Sequence, residues 1–475
     1  MKVLLVSANR HRQPMPVIPY GACLVAEAAQ AAGHEVHFLD LMFQADPSKI
    51  LRDTLTRVKP EIVGLSVRNI DNNDMLFPKG FIQELKQLVD SIRRQSAARV
   101  ILGGAALSIL PVHILRATGV NYAVTGDGDL VFPELLETLA EGGNPRHIPG
   151  VMSLDEGGTG HAGARPSVKN RALAPDFRKW IDLKAYASRF SPVPLKTQWG
   201  CPFECVYCTY PMTEGRDYRL AQVDRVVESV KTLADYGVTD IEFVDNVFNS
   251  PYDHAMAICR ALAEARLTPK VQFHTVELNP AFLDDTLLGA MEAAGFRGIG
   301  ITAESAVDTV LEGLGKNYRA REVETAAHWI NRHSIPCFWV FLLGGPGESR
   351  ETVLDTLEFA RKEIRPSDPV FFNVGLRIYP GTPLEALARE EGILACAAEE
   401  MLEPVFYLSP HLDLALLNTT LDFAATRHFN FITPADFARP VLDKIFRLAY
   451  WAGLKPPVWK HTRLIRRGLH LMGAK

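Results

Sequence analysis

Residues Gly200 to Cys208 read GCPFECVYC, and the rest of the chain takes its meaning from them. Their three cysteines, Cys201, Cys205 and Cys208, have the spacing CxxxCxxC and can meet on one small inorganic cluster. A [4Fe–4S] cube offers four irons, so three thiolates from one tight loop leave the fourth iron open to a small molecule. An open iron points to chemistry rather than electron storage. A zinc site would need four ligands in paired CxxC or CxxH groups, and neither Cys259 nor a nearby histidine completes such a set. Electron-transfer ferredoxin loops bring a fourth cysteine and usually a second set, both missing here.

With Tyr207 directly before its last cysteine, the motif resembles that of the radical S-adenosylmethionine (SAM) superfamily. The resemblance implies that SAM chelates the open iron and that an electron from the cluster cleaves it to a 5′-deoxyadenosyl radical. It also implies an electron donor such as flavodoxin or ferredoxin.

Working outward, 475 residues suffice for two or three domains, and 47% hydrophobic with 22% charged residues is ordinary for a soluble globular chain. A formal charge of -4 gives no basic field for nucleic acid, so a small molecule or lipid is the expected partner. Seven cysteines, three of them clustered, form no disulfide framework, which predicts a reducing, cytoplasmic setting. The start, MKVLLVSANR, reads as a first strand and not a signal peptide, and no apolar run reaches the roughly 20 residues of a membrane span.

Upstream of the cysteines, apolar runs at 2–8, 34–40, 61–67, 99–105 and 122–125 alternate with helical stretches such as 21–32, 47–58, 80–95 and 129–141. Five alternations predict an α/β fold with a doubly wound, five-stranded parallel sheet over residues 1–146. Ligands of such sheets collect beyond the carboxyl ends of the strands, here the loops 7–21, 66–74, 103–108 and 126–129. Any one of these loops could be plain turn chemistry. All four opening on one edge favour a bound cofactor. No GxGxxG follows the first strand, so a nicotinamide-binding domain is the weaker reading.

Joined to the cysteine motif, this arrangement resembles the cobalamin-binding domain of cobalamin-dependent (class B) radical SAM enzymes, with GGAALS at 103–108 and GDGD at 126–129 in place of the family's GEGE-like segment. The resemblance implies cobalamin contacts from Ser7, Tyr20, Gly21, Arg68, Gly103, Gly104, Ser108, Gly126 and Gly128. The DxHxxG motif that supplies a cobalt-ligating histidine in some cobalamin proteins is absent, and His11 lacks that context. No histidine ligand is expected, and Arg68 or its neighbours should face the lower side of the corrin.

Residues 147–190, with Pro149 and Pro166 among glycines, read as a connector. From Leu195 six strands alternate with helices, at 195–200, 240–246, 270–276, 298–305, 337–345 and 371–379. Six βα units are fewer than the eight of a closed barrel, so residues 191–385 predict a partial (β/α)6 barrel with catalytic groups at its carboxyl end. Polar residues gather at those strand ends: Asp245 and Asn246, His274 and Glu277, Glu304 and Ser305, the LLGGPGE run to Glu348, then Arg377 and Tyr379. Resemblance to the radical SAM family implies SAM contacts from Tyr207, Asp245, Asn246, Glu304, Ser305, Gly344 and Gly345. Trp339, Phe341 and Phe372 read as core.

Residues 386–475 read as a helical C-terminal region that shapes the substrate pocket. Its end carries Lys455, Lys460, Arg463, Arg466, Arg467 and Lys475 beside Trp459 and aliphatics, a basic amphipathic helix able to lie on an anionic membrane or to dock on the barrel. The resemblance implies methylation of an unactivated carbon of a small-molecule or lipid substrate. Ring formation or oxidation without methyl transfer is the alternative outcome. A non-catalytic corrinoid carrier would leave the cysteine loop idle, and a methylthiotransferase would carry a cysteine set in its first domain, where only Cys23 stands.

Overall fold

The computed structural model describes residues 1–154, 171–268, 270–397, 401–439 and 441–471; Pro166 and Lys475 lie outside them. In the first sheet β1 (Lys2–Ser7), β2 (Glu35–Asp40), β3 (Ile62–Ser66), β4 (Arg99–Gly103) and β5 (Tyr122–Val124) run parallel in the order β2-β1-β3-β4-β5. The near-continuous apolar runs of these strands follow from burial on both faces. Leu4 and Val6 pack under the helices Pro47–Val58 and Ile82–Gln95, while Val3 and Leu5 face Tyr20–Ala31 and Gly128–Ala140. A sixth strand, β6 (Val151–Ser153), extends the edge antiparallel to β5. It comes from the stretch read as connector, where the short run Val-Met-Ser is wholly buried.

The second sheet holds β7 (Val193–Leu195), β10 (Asp240–Phe243), β11 (Gln272–Leu278), β12 (Phe296–Glu304), β13 (Cys337–Leu343), β14 (Val370–Val374) and β17 (Phe431–Ile432), all parallel and in that spatial order. The six expected strands are present, and the C-terminal region, expected to be helical, adds β17 to the open edge beside β14. The first strand also lies earlier than read, meeting the expected 195–200 only at Leu195. It stops at Leu195, and Gln198–Trp199 (β8) pairs instead with Arg219–Leu220 (β9) in a small antiparallel ribbon that frames the cysteine loop. A last ribbon joins β15 (Leu376–Arg377) to β16 (Phe406–Tyr407).

Alternation within β13 places Cys337, Trp339, Phe341 and Leu343 in the core and turns Phe338 and Val340 toward the barrel interior. Trp339, Phe341 and Phe372 are indeed fully buried. The segment around Trp180–Tyr186 straps the first sheet, with the Tyr186 hydroxyl donating to Asp40 Oδ2 at 2.8 Å.

Candidate functional site

The cysteine loop leaves the β8–β9 ribbon at Gly200, whose φ of +87° suits glycine, and a Cβ there would collide with the Asp217 carbonyl. The Cys201 amide donates to Gly215 O at 3.0 Å, and Val206 N donates to Leu314 O at 3.0 Å, so the loop is pinned on both flanks. Cys201 is buried and Cys205 and Cys208 are half-buried. Burial pushes the Cys208 thiol up to about 12, and Cys205 and Cys201 lie close enough to add to that rise. Three mutually adjacent thiols on one braced loop fit a cluster with one open iron.

Beside the loop lies a buried triad that the sequence reading only half anticipated. Tyr207 donates to Glu304 Oε1 at 2.6 Å, and Lys316 Nζ lies 3.2 Å from the same oxygen and 3.3 Å from the Tyr207 hydroxyl. Glu304 reaches this place because β12 slips register against β13 there and its φ is +61°, a bulge that re-aims the side chain. Burial alone would lower the Lys316 ammonium, but Tyr207, Tyr318 and Glu304 hold it well above its usual range.

The other strand-end residues brace the site. Asp245 accepts from the amides of Thr197 and Gln198 at 2.6 and 2.9 Å and from the Thr197 hydroxyl at 2.7 Å, which locks the turn from β7 into β8. Asn246 Nδ2 donates to Glu214 Oε2 at 2.8 Å, and Glu214 also pairs with Lys196. Ser305 is fully buried, with its hydroxyl 3.3 Å from Thr356 Oγ1 and accepting from Val307 N. The Gly344 and Gly345 amides donate to Glu348 Oε2 at 2.7 and 3.3 Å. Burial pushes Glu348 up to about 7, and its other oxygen has no hydrogen-bond partner. Arg377, left open between substrate and core, is core: its side chain is 1% exposed and paired with Asp71.

On the first sheet, all nine residues expected to touch cobalamin line one cavity of about 410 Å³. Ser7, Tyr20, Gly21, Arg68, Gly103, Gly104, Ser108, Gly126 and Gly128 come from four loops, and Lys196, Trp199 and Tyr210 close the cavity from the barrel side. Gly104 has a φ of +98°, and a Cβ would stand 2.5 Å from Val67 O. Gly21 and Gly126 leave open space where a Cβ would be. Asn9 Nδ2, on the cavity wall, is buried without a hydrogen-bond partner. A ligand with polar edges and a broad flat body fits these features. Arg68 keeps accessible surface because it faces the cavity, and enclosure lowers its pKa despite the nearby Tyr210 and Glu242. The acidic pair of the GDGD segment, Asp127 and Asp129, is neutralised by Arg171, and Arg219 also bonds Asp127 at 2.7 Å.

A second cavity, also about 410 Å³, occupies the barrel interior. The C-terminal segment closes it: Trp459 packs on Phe338 at 5.8 Å, and Gly298 is needed where that ring crosses β12. Of the two readings of this helix, docking on the barrel is the one its Trp459, Ile465 and Arg466 side chains follow. Glu242 and Glu277 face the cavity, and among the described residues neither has a hydrogen bond or ion pair. Burial pushes Glu242 up to about 7 and Glu277 up to about 8.

Sequence reading missed Glu242, Lys316, Glu214 and Arg171. Only Glu242 carried a usable signal, a charge between the apolar Ile241 and Phe243 in the strand Asp240–Phe243.

The B12 binding domain matches residues 10–136, and the Radical SAM superfamily matches residues 195–360. The chain belongs to the cobalamin-dependent radical SAM enzymes. SAM, cobalamin and a [4Fe–4S] cluster are therefore its cofactors. Among relatives, the tryptophan 2-C-methyltransferase of Streptomyces laurentii is 25% identical over 439 residues, covering 80% of this chain and 73% of that protein. The hopanoid C-3 methylase of Methylococcus capsulatus is 27% identical over 261 residues, 54% of this chain and 48% of its own length. The fold of this family member is that of the radical SAM methyltransferase TsrM from Kitasatospora setae, solved with cobalamin and a [4Fe–4S] cluster, at a TM-score of 0.84, 24% identity and 99% coverage of both chains. Among the described residues no helix is long and apolar enough to cross a membrane.

Proposed function

We propose that this enzyme methylates a carbon of a small molecule held in the barrel cavity. The observation that carries the reading is continuity: Val17, Ile18, Pro194 and Val244 line both cavities, so the first sheet's ligand and the barrel's occupant would adjoin. Methyl transfer is the activity named for the Streptomyces and Methylococcus relatives, and a TsrM structure holds tryptophan with a SAM analogue.

When bound, the cofactors supply a cleavable SAM and a methyl-carrying cobalt, which is the hard chemistry of the reaction. The chain's residues bind, orient and exclude water. Cys201, Cys205 and Cys208 hold three irons. Tyr207 and the Gly344–Gly345 backbone flank SAM, and Glu304 with Lys316 offers its amino-acid end one fixed anion and one fixed cation. Asp245, Asn246 and Ser305 act through the loops they brace. Ser7, Tyr20, Gly21, Gly103, Gly104, Ser108, Gly126 and Gly128 would surround cobalamin, and Arg68 would face it as a cation that does not ligate the metal. A flavodoxin or ferredoxin supplies the electron. Peripheral membrane contact stays outside the proposal, because Trp459 and Ile465 line the cavity.

The test is anaerobic purification with cobalamin, followed by incubation of the reduced protein with methyl-labelled SAM and candidate extracts. Labelled methyl carbon in a new product is the expected result. An unlabelled product that has lost hydrogen would mean ring formation or oxidation, and absence of SAM cleavage in cluster-replete protein would overturn the reading.

A further inference from the structure

The barrel cavity is lined by charged groups of both signs. Glu242 and Glu277 face it from β10 and β11, where the other charged groups around Glu277 are Glu304 and Lys316. Neither carboxylate makes a hydrogen bond or ion pair among the described residues; the cations nearest them are Arg68 for Glu242 and Lys316 for Glu277. Evolutionarily indifferent positions in a barrel strand would be apolar, since an unpaired buried carboxyl is costly. A second charged group on the cavity lining belongs to the C-terminal segment. There Asp436 sits between two guanidinium groups, 3.3 Å from Arg439 and 3.6 Å from Arg466, so two cations face one anion. Arg466 Nη1 is buried without a hydrogen bond, while Nη2 donates to Ala425 O at 3.3 Å. All three of these residues line the cavity, and Val276, Val340, Phe338, Trp459 and Ile465 give it apolar surface. Its volume of about 410 Å³ falls within the range of small-molecule sites, about 300–1,000 Å³.

We infer that the substrate is an apolar molecule with a cationic or N–H donor group at Glu242 and Glu277 and a carboxylate at Arg466 and Arg439. This rests on the proposed function, because it assigns the barrel cavity to substrate, and it narrows that reading to nitrogen-bearing carboxylic acids. A neutral lipid would leave both charged groups unmatched. Pairing an unmatched guanidinium with a carboxylate gives a charge-assisted hydrogen bond in a water-poor site, where it is strongest. The same argument applies to an ammonium against two carboxylates.

Calorimetric binding to the holoprotein, with cluster and cobalamin loaded and SAM omitted, tests this without knowing the natural substrate. The probes are ω-amino acids of roughly six to twelve carbons, the alkylamines of the same lengths, and the fatty acids of the same lengths. One ω-amino acid length should bind about tenfold or more tighter than either monofunctional probe, a factor equal to about 1.4 kcal/mol. The double variant Glu242→Gln/Glu277→Gln should weaken alkylamine binding about tenfold and leave fatty-acid binding unchanged, and Arg466→Gln should do the reverse. Arg439→Gln serves where Arg466→Gln disturbs the C-terminal segment, with iron and cobalamin content per chain as the check on folding. Equal binding of all three probe classes, or equal losses in both variants, overturns the inference. If probes fail to bind while the wild-type protein still cleaves SAM, the inference falls and the proposed function stands.

Discussion

Replacing Arg377 with methionine should unseat the loop that carries Arg68. The guanidinium is buried at the seam between the sheets: Nε donates to Asp71 Oδ2 at 2.8 Å, Nη1 to Ile378 O at 2.5 Å and Nη2 to Met401 O at 2.6 Å, and it lies 4.9 Å from the Tyr379 ring centre. Asp71 lies three residues beyond Arg68, and four residues further on Met75 presses against Gly375, where a Cβ would collide with its sulfur. Methionine fills much of the volume but leaves the Asp71 carboxylate buried without its cation. Removing one member of a buried ion pair costs about 3–5 kcal/mol. Each orphaned carbonyl adds about 1 kcal/mol or more, and water entering the gap offsets part of this, which holds the total near ~4 kcal/mol. The double variant Asp71→Asn/Arg377→Met removes both charges and should return to within ~2 kcal/mol of the parent. Urea unfolding followed by tryptophan fluorescence measures the stability change, and titration with cobalamin should show weaker binding by the single variant. A loss below ~1 kcal/mol for Arg377→Met, or a double variant no better than the single, would refute the reasoning.

Changing Cys201, Cys205 and Cys208 together to alanine should leave the fold and abolish iron binding; full charge-transfer absorption in the triple variant would sink the cluster assignment. The paramagnetic resonance spectrum of the Co(II) form should lack nitrogen superhyperfine coupling from protein, because Arg68 and no histidine lines the cavity; such coupling would remove Arg68 from beneath cobalt. Glu277 is pushed up to about 8 by burial, with Glu304 and Glu242 adding to the rise. A raised carboxyl penalises folding above its folded pKa, and the penalty fades as pH falls toward its unfolded value. Glu277→Gln should therefore melt later than the parent near pH ~9, by about 2 kcal/mol once cavity water is allowed for, with the gap closing near pH ~5. Equal melting curves across that range would show that the carboxyl is not enclosed.

The loop edge of the first domain was legible because a parallel sheet delivers every strand-to-helix loop to one edge. Alternation alone therefore brought Ser7, Arg68, Gly103 and Gly126 to one cavity wall. The barrel was legible only as strands. Asp245 stands at the expected strand end, yet its oxygens are taken by Thr197 and Gln198, and Asn246 by Glu214. A polar side chain at a strand end can turn to a ligand or to the next loop, and sequence does not record which amides lie within reach. Lys316 was hidden for a related reason: it follows Gly315 in a turn with no pattern, and only the slip at Glu304 brings the two together. The short strands β6 and β17, three and two residues long, fall below the length at which alternation can be read.

The C-terminal helix shows how a correct local reading can lose its meaning in the assembled fold. An amphipathic face with Trp459 and Ile465 needs an apolar partner, and a membrane surface or an open barrel would each provide one. The barrel prevails because Gly298 on β12 has no side chain to hold Trp459 away, and Phe338 meets the indole ring. That choice does more than bury the helix. It places Arg466 inside, where a solvated cation on a membrane-facing helix would have stayed in water, and it adds a cation to the lining that holds Glu242 and Glu277. The chemistry near the cysteine loop and the selection of substrate are thus built from separate parts of the chain. Three cysteines within eight residues serve the first, while residues from the first domain, the barrel and the last helix must close together to serve the second.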